Sequence, residues 1–184
     1  MATGQSRRAR LVLPQPARDH IEGPDDAPLA LVEYGDYQCP HCGRAYWIVK
    51  DVQRRLGRRL RLAYRHFPLA QIHPDATRAA EAAEAAGAQD RFWPMHDLLF
   101  QNQAALGDAD LVRYAGQLKL DVPRFVAELA EHVHAPRVQE DFLTGVRSGV
   151  NGTPTFFVNG VRHDGPWEAE SLIEALVATA RASA

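Results

Sequence analysis

The chain has 184 residues, of which 46% are hydrophobic and 24% charged, with a formal net charge of −2. That length suits one domain or one domain with an insertion, and it can bury a core without covalent staples. The near-neutral charge gives no support to a nucleic-acid or anionic-membrane role, and two cysteines are too few for a disulfide-stapled scaffold.

Residues 1–27 are rich in Arg, Pro and Gly without periodicity and read as an irregular lead-in. Basic residues begin it, but Leu11-Val12-Leu13 is too short for the apolar region of a signal peptide. No run approaches the roughly 18 apolar residues of a membrane span. The expectation is a soluble, cytoplasmic protein, with a trimmed exported form as the alternative.

Leu29 to Tyr34 reads as a buried strand closed by Gly35 and Asp36. From Pro40 the period becomes helical, with Ala45, Ile48, Val49, Val52 and Leu56 on one face and Gly57 as the stop. Leu60 to Phe67 alternates as a second strand, ended by Pro68. A helical stretch follows, with Pro74 expected in its first turn. It continues through the Ala- and Glu-rich segment Ala79–Ala88 and the apolar cluster from Phe92 to Phe100. Two more helices are expected, over Asp108–Leu118 and Pro123–Arg147, the second with a break near Pro136. Thr153 to Val158 reads as a strand, Asn159-Gly160 as a tight hairpin turn, and Val161–His163 as the returning strand. A last helix is expected from near Glu168 to about Arg181, with Leu172, Ile173, Leu176 and Val177 inward. The order β–α–β, helical block, β–β–α predicts one α/β sheet layered with helices. The expected division is 28–73 and 150–184 for the sheet domain and 74–149 for an all-helical insertion.

Cys39 and Cys42 lie in Cys39-Pro40-His41-Cys42, where the first helix opens. A helix N-terminus presents unpaired N–H groups and a positive dipole end, which favours a thiolate and lowers a thiol pKa. The thiolate is the nucleophile of disulfide exchange. Cys39, just ahead of the helix, is expected to be the more exposed and to attack; Cys42, one turn in, resolves the mixed disulfide. Pro40 suits a first turn that needs no N–H. His41 is read as the tuning residue, a partly protonated imidazole near Cys39 favouring its thiolate. Glu33 shares a strand face with Leu29 and Leu31 and is expected to be buried with a raised pKa, able to exchange a proton with Cys42; Asp36 is the weaker candidate. Pro154 at a strand entrance removes a ladder donor. The cysteine pair could be half of a zinc site, but no second Cys-x-x-Cys is present, and neither metal nor cofactor is expected.

The segments Leu31–Cys42, Phe92–Asp97 and Gly152–Gly160 together resemble the DsbA-like branch of the thioredoxin superfamily. The resemblance implies a thioredoxin-like fold with an all-helical domain inserted after the second core strand. It implies that Cys39 is the nucleophile, Cys42 its partner and Glu33 the buried acid six residues upstream. It also implies a cis bond at Thr153-Pro154 beside the cysteines, with the Thr153 backbone pairing with an extended substrate. The implied partners are protein or peptide thiols and disulfides, with an unidentified redox partner and no nucleic acid. The alternative reading is a peptide-binding, holdase-type module in which the cysteines are secondary.

Overall fold

The structure is a computed structural model that describes residues 12–182. The first 11 residues of the expected lead-in, and positions 183 and 184 of the expected C-terminal part, lie outside the described residues. Five strands form one sheet: β1 (His20–Glu22), β2 (Leu29–Gly35), β3 (Leu60–His66), β4 (Thr155–Val158) and β5 (Val161–His163), in the order β1-β3-β2-β4-β5. β2 is buried along its whole length, as its unbroken apolar run requires of a central strand. It runs parallel to β3 through the crossover helix α1 (Pro40–Leu56) and antiparallel to β4. Gly57 ends α1 at φ 52°, in the left-handed region that glycine occupies without strain. Asn159 and Gly160 both have positive φ, as a type I′ hairpin turn demands. The Asn159 side chain also accepts from the Ala30 N–H at 2.8 Å and donates to the Leu176 carbonyl at 2.8 Å, tying β2 and the last helix, α7 (Ala169–Ala182), to the turn.

Between β3 and β4 run α2 (Ala76–Gly87), α3 (Phe92–Gln101), α4 (Asp108–Gln117), α5 (Val122–Ala130) and α6 (Ala135–Arg147). α1 and α7 cover one sheet face, packing Val49, Val52, Leu172 and Leu176 on Leu29, Leu31, Leu62 and Phe156. On the other face Val32, Tyr34, Ala63 and Phe157 meet Phe67 and Phe142 of α6. A third cluster joins the helical block to the first turn of α1: Met95, Leu99, Phe100, Leu111 and Phe125 share it with Tyr37, Cys39, Cys42 and Tyr46. The cysteines therefore sit at the seam between sheet and helices.

Three local expectations need correction. The lead-in is not wholly irregular, because β1 pairs antiparallel with β3, His20 opposite Tyr64. Three residues are too few to carry a periodic signal; only the partner strand makes them a strand. Pro74 precedes α2, which begins at Ala76, since the Ala76 N–H closes a turn onto the His73 carbonyl. β4 begins at Thr155, so Thr153 and Pro154 stand ahead of the ladder. The expected break near Pro136 is the turn between α5 and α6, with Pro136 in the first turn of α6.

A buried ionic network binds the lead-in to β3 and α6. Arg65 donates through Nε and Nη2 to Asp19 at 3.0 and 2.7 Å, and through Nη1 to the Tyr34 hydroxyl at 2.9 Å. Asp141 accepts from Arg18 and Arg137, each at 2.6 Å, and from the His66 N–H at 3.1 Å. Among the described residues, His66, Glu84 and Asp141 are the group able to offer three metal-ligand atoms. The two guanidiniums on Asp141 already satisfy its charge and oppose a cation there. Arg65→Met should cost about 3 kcal/mol, because it takes the two-pronged guanidinium from the buried Asp19 carboxylate and leaves it the Gln15 N–H at 2.7 Å with Arg18 and Arg137 only at 3.6 and 4.0 Å. Urea unfolding checks this; a loss below about 1 kcal/mol would mean that Asp19 reaches water once its partner is gone.

Candidate active site

Cys39 is the N-cap of α1, with an extended backbone (φ −71°, ψ 122°) and no side-chain capping bond of its own. Pro40 opens the helix, where its missing N–H leaves no bond unmade. The Cys39 carbonyl accepts from the Gly43 N–H at 3.1 Å, which starts the helical ladder and turns the first N–H groups of α1 toward the Cys39 sulfur. Cys42 is fully buried and Cys39 is 3% exposed, so the expected order of exposure holds although both are interior. The two thiols are not bonded to each other. The Cys39 thiol donates to the Thr153 carbonyl at 3.6 Å, and the Asp36 N–H donates to Cys42 Sγ at 3.4 Å. The Thr153–Pro154 bond is cis.

The two thiols are pushed apart electrostatically. Cys39 is pulled down to about 5, chiefly by a hydrogen bond from Cys42. Burial works against this, and the Thr153 side chain and the backbone N–H groups of Cys42 and His41 add to it. Cys42 is pushed well above the usual thiol range, first by burial, then by its bond to Cys39 and the charge of Glu33. Glu33, on β2 between Phe156 and Tyr64 in register, is raised to about 8, by burial first and the Cys39 charge second. Its Oε1 is buried without a hydrogen-bond partner. Near pH 7 the site thus holds a Cys39 thiolate, a Cys42 thiol and a protonated Glu33. Such a site has a nucleophile ready and a proton stored on a buried carboxyl whose charge acts on the second sulfur.

Cys39, Cys42, Pro40, Glu33, Thr153 and Pro154 are thus gathered at one place. His41 lies on the exposed side of α1, and it is its backbone N–H that contributes to the Cys39 thiolate. β4 has neighbours on both sides, β2 and β5, and the Thr153–Pro154 segment lies just ahead of it.

Two further groups hold the cysteine turn: Asp36, the weaker acid candidate of the sequence, and Gln103, which carries no motif. Asp36, fully enclosed, accepts from the Gln38 and Leu69 N–H groups at 2.7 and 2.8 Å and pairs with His73 Nδ1 at 2.8 Å, which fixes the turn whose N–H reaches Cys42. Gln103, in the turn between α3 and α4, reaches the backbone of the cysteine turn. Asp36 lies in the same local segment as the cysteines, whereas His73 and Gln103 come from segments that only the folded chain brings near them.

A family model described as thioredoxin matches residues 16–178. The Na(+)/H(+) antiporter NhaA 3 of Salinispora tropica is 49% identical over 169 residues, covering 92% of this chain and 26% of that protein. The Na(+)/H(+) antiporter NhaA 1 of Mycobacterium sp. (strain KMS) is 47% identical over 165 residues, covering 89% and 27%. The chain thus spans about a quarter of the length of the curated relatives it matches. Among solved structures, oxidised BdbD from Bacillus subtilis superposes with a TM-score of 0.81 at 22% identity, covering 94% of this chain and 98% of that one. A thioredoxin-like oxidoreductase from Silicibacter pomeroyi gives 0.80 at 26% identity, covering 92% and 95%. Alpha-DsbA1 of Wolbachia pipientis gives 0.76 at 20% identity, covering 94% and 96%. With the thioredoxin family model matching most of the chain, the chain belongs to the thioredoxin superfamily, and it shares its fold nearly end to end with BdbD and alpha-DsbA1.

Proposed function

We propose that the chain is a thiol–disulfide oxidoreductase that exchanges disulfides with protein or peptide thiols through Cys39 and Cys42. The observation that carries the reading is the opposed titration of the two thiols, Cys39 drawn down to about 5 and Cys42 driven up, beside a protonated carboxyl. In the oxidising direction, a substrate thiolate attacks Cys39 Sγ of the Cys39–Cys42 disulfide. The intramolecular S–S bond breaks as the mixed bond forms. Cys42 leaves as a thiolate and takes the Glu33 proton. A second substrate thiolate then attacks the substrate sulfur of the mixed bond, and Cys39 leaves as the stable thiolate. Two electrons pass from the substrate dithiol to the protein disulfide. The reverse sequence reduces a substrate disulfide.

Stabilising the Cys39 thiolate stabilises the reduced protein and makes its disulfide the more oxidising partner. The backbone around Thr153, 3.6 Å from the Cys39 sulfur, is where an extended substrate would align. The reading concerns this module. Sodium–proton exchange, named for relatives of which it matches about a quarter, is not assigned to it. No helix among the described residues is long and apolar enough to cross a membrane.

Cys42→Ser tests the proposal. It removes the resolving sulfur and leaves Cys39 able to attack, so incubation with a disulfide-bonded peptide should accumulate a mixed disulfide at Cys39, visible by mass spectrometry and removed by dithiothreitol. No adduct at neutral pH, with Cys39 still open to alkylation, would sink the reading.

A further inference from the structure

Gly43 stands inside the first turn of α1, where glycine weakens a helix relative to alanine. Its backbone does not call for glycine through a positive φ. Space does. A Cβ at position 43 would lie 1.9 Å from Gln103 Oε1 and 2.6 Å from Gln103 Cδ. From the room this leaves, Gln103 Nε2 donates to the Tyr37 carbonyl at 2.8 Å and to the Cys39 carbonyl at 2.9 Å. One amide from the helical block thus holds both carbonyls that flank Gln38 in the turn leading into the helix. The Cys39 carbonyl is the same atom that receives the Gly43 N–H at 3.1 Å.

We propose that Gln103 is a positioning residue for Cys39: it fixes the Tyr37–Cys39 turn so that the first N–H groups of α1 face the Cys39 sulfur, and position 43 is glycine to admit it. Two effects have the same sign. Binding the carbonyls withdraws their negative ends from the nearby thiolate, and holding the turn keeps the N–H groups aligned on it. Of the ionisable groups around Cys39, Cys42 and His41 come from α1, Asp36 from the turn before it and Glu33 from β2, and the Gln103 hydrogen bonds go to the Tyr37 and Cys39 carbonyls. The α3–α4 turn therefore has a direct mechanical route to the nucleophile. The inference rests on Cys39 being the nucleophile of the proposed exchange.

Gly43→Ala offers a clean test, because the atoms it displaces are the far end of a flexible side chain and alanine favours the helix. Gln103→Ala removes the same contact from the other side. In the reduced full-length chain, the rate of Cys39 alkylation by iodoacetamide would be followed from pH 4 to 8, with circular dichroism to confirm the fold. Each single variant should shift the half-point upward and slow alkylation near pH 5 about three- to tenfold, the scale of one lost hydrogen bond between neutral groups. The double variant should be no slower than the slower single. An unmoved profile in either folded single variant, or effects that multiply in the double, would overturn the proposal. Peptide exchange measured on the same samples keeps the two readings apart: wild-type exchange with an unmoved profile removes only the role of Gln103, and a wild type that does not exchange removes the exchange reading.

Discussion

Cys39→Ser is expected to abolish disulfide exchange, lowering the rate of peptide oxidation or insulin reduction by roughly 10³-fold or more. A serine hydroxyl fits the N-cap well, so the fold should survive and even gain a capping bond that Cys39 does not make. The loss is purely chemical. Only a sulfur can form the mixed disulfide, and only at Cys39 is the thiol held ionised near neutral pH. Cys42 cannot substitute, because it is fully buried and its thiol is driven upward by burial. Stopped-flow exchange with a fluorescent dithiol peptide checks the prediction. Full activity in Cys39→Ser would end the oxidoreductase reading. Suppression of aggregation that persists without either cysteine would instead favour the holdase-type alternative.

Much of this site is written locally in the chain. The change of period at Pro40 places both cysteines at the start of a helix, and the alternation along Leu29, Leu31 and Glu33 predicts the inward carboxyl found beneath it. Asn159-Gly160 specifies its turn by backbone chemistry alone. What escapes is carried by pairings between distant residues. Arg65 and Asp19 are 46 positions apart, His73 and Asp36 are 37 apart, and Gln103 meets the Cys39 carbonyl across 64. No periodicity links such residues, and each is polar in a way that suits an exposed turn equally well. Gly43 is a local trace of the Gln103 contact: a glycine in the first turn of a helix, where no positive φ calls for it. β1 escapes for a related reason, since its three residues become a strand only against β3.

Glu33→Gln is expected to change how stability depends on pH rather than stability at one pH. In the reduced folded protein the Glu33 carboxyl titrates near 8, against an ordinary value of 4.5. Between those values the folded chain keeps a proton that the unfolded chain has released, so stability falls as pH rises, by about 1.4 kcal/mol per pH unit. The neutral carboxyl makes its full contribution below 4.5, and that contribution is lost by the time pH passes about 8. Over the whole window the wild type should lose ~5 kcal/mol relative to the glutamine variant, which has nothing to titrate there. The Cys39 thiolate contributes an opposite slope, but it is present in both proteins and largely cancels in the difference. Glutamine places amide donors where Glu33 Oε1 already lacks a partner, at a cost of about 1–3 kcal/mol. That cost does not vary with pH, so the slope carries the test. Urea titrations of both reduced proteins from pH 4 to 9 measure it, and a difference that stays level from 4.5 to 8 would show that Glu33 ionises normally. In the disulfide form the window should close at a lower pH, because the Cys39 charge that helps raise Glu33 is gone. The same proton links stability to chemistry. A carboxyl still protonated at pH 7 can hand its proton to the departing Cys42 sulfur, so a variant that gains stability at pH 8 should also release Cys42 more slowly in exchange.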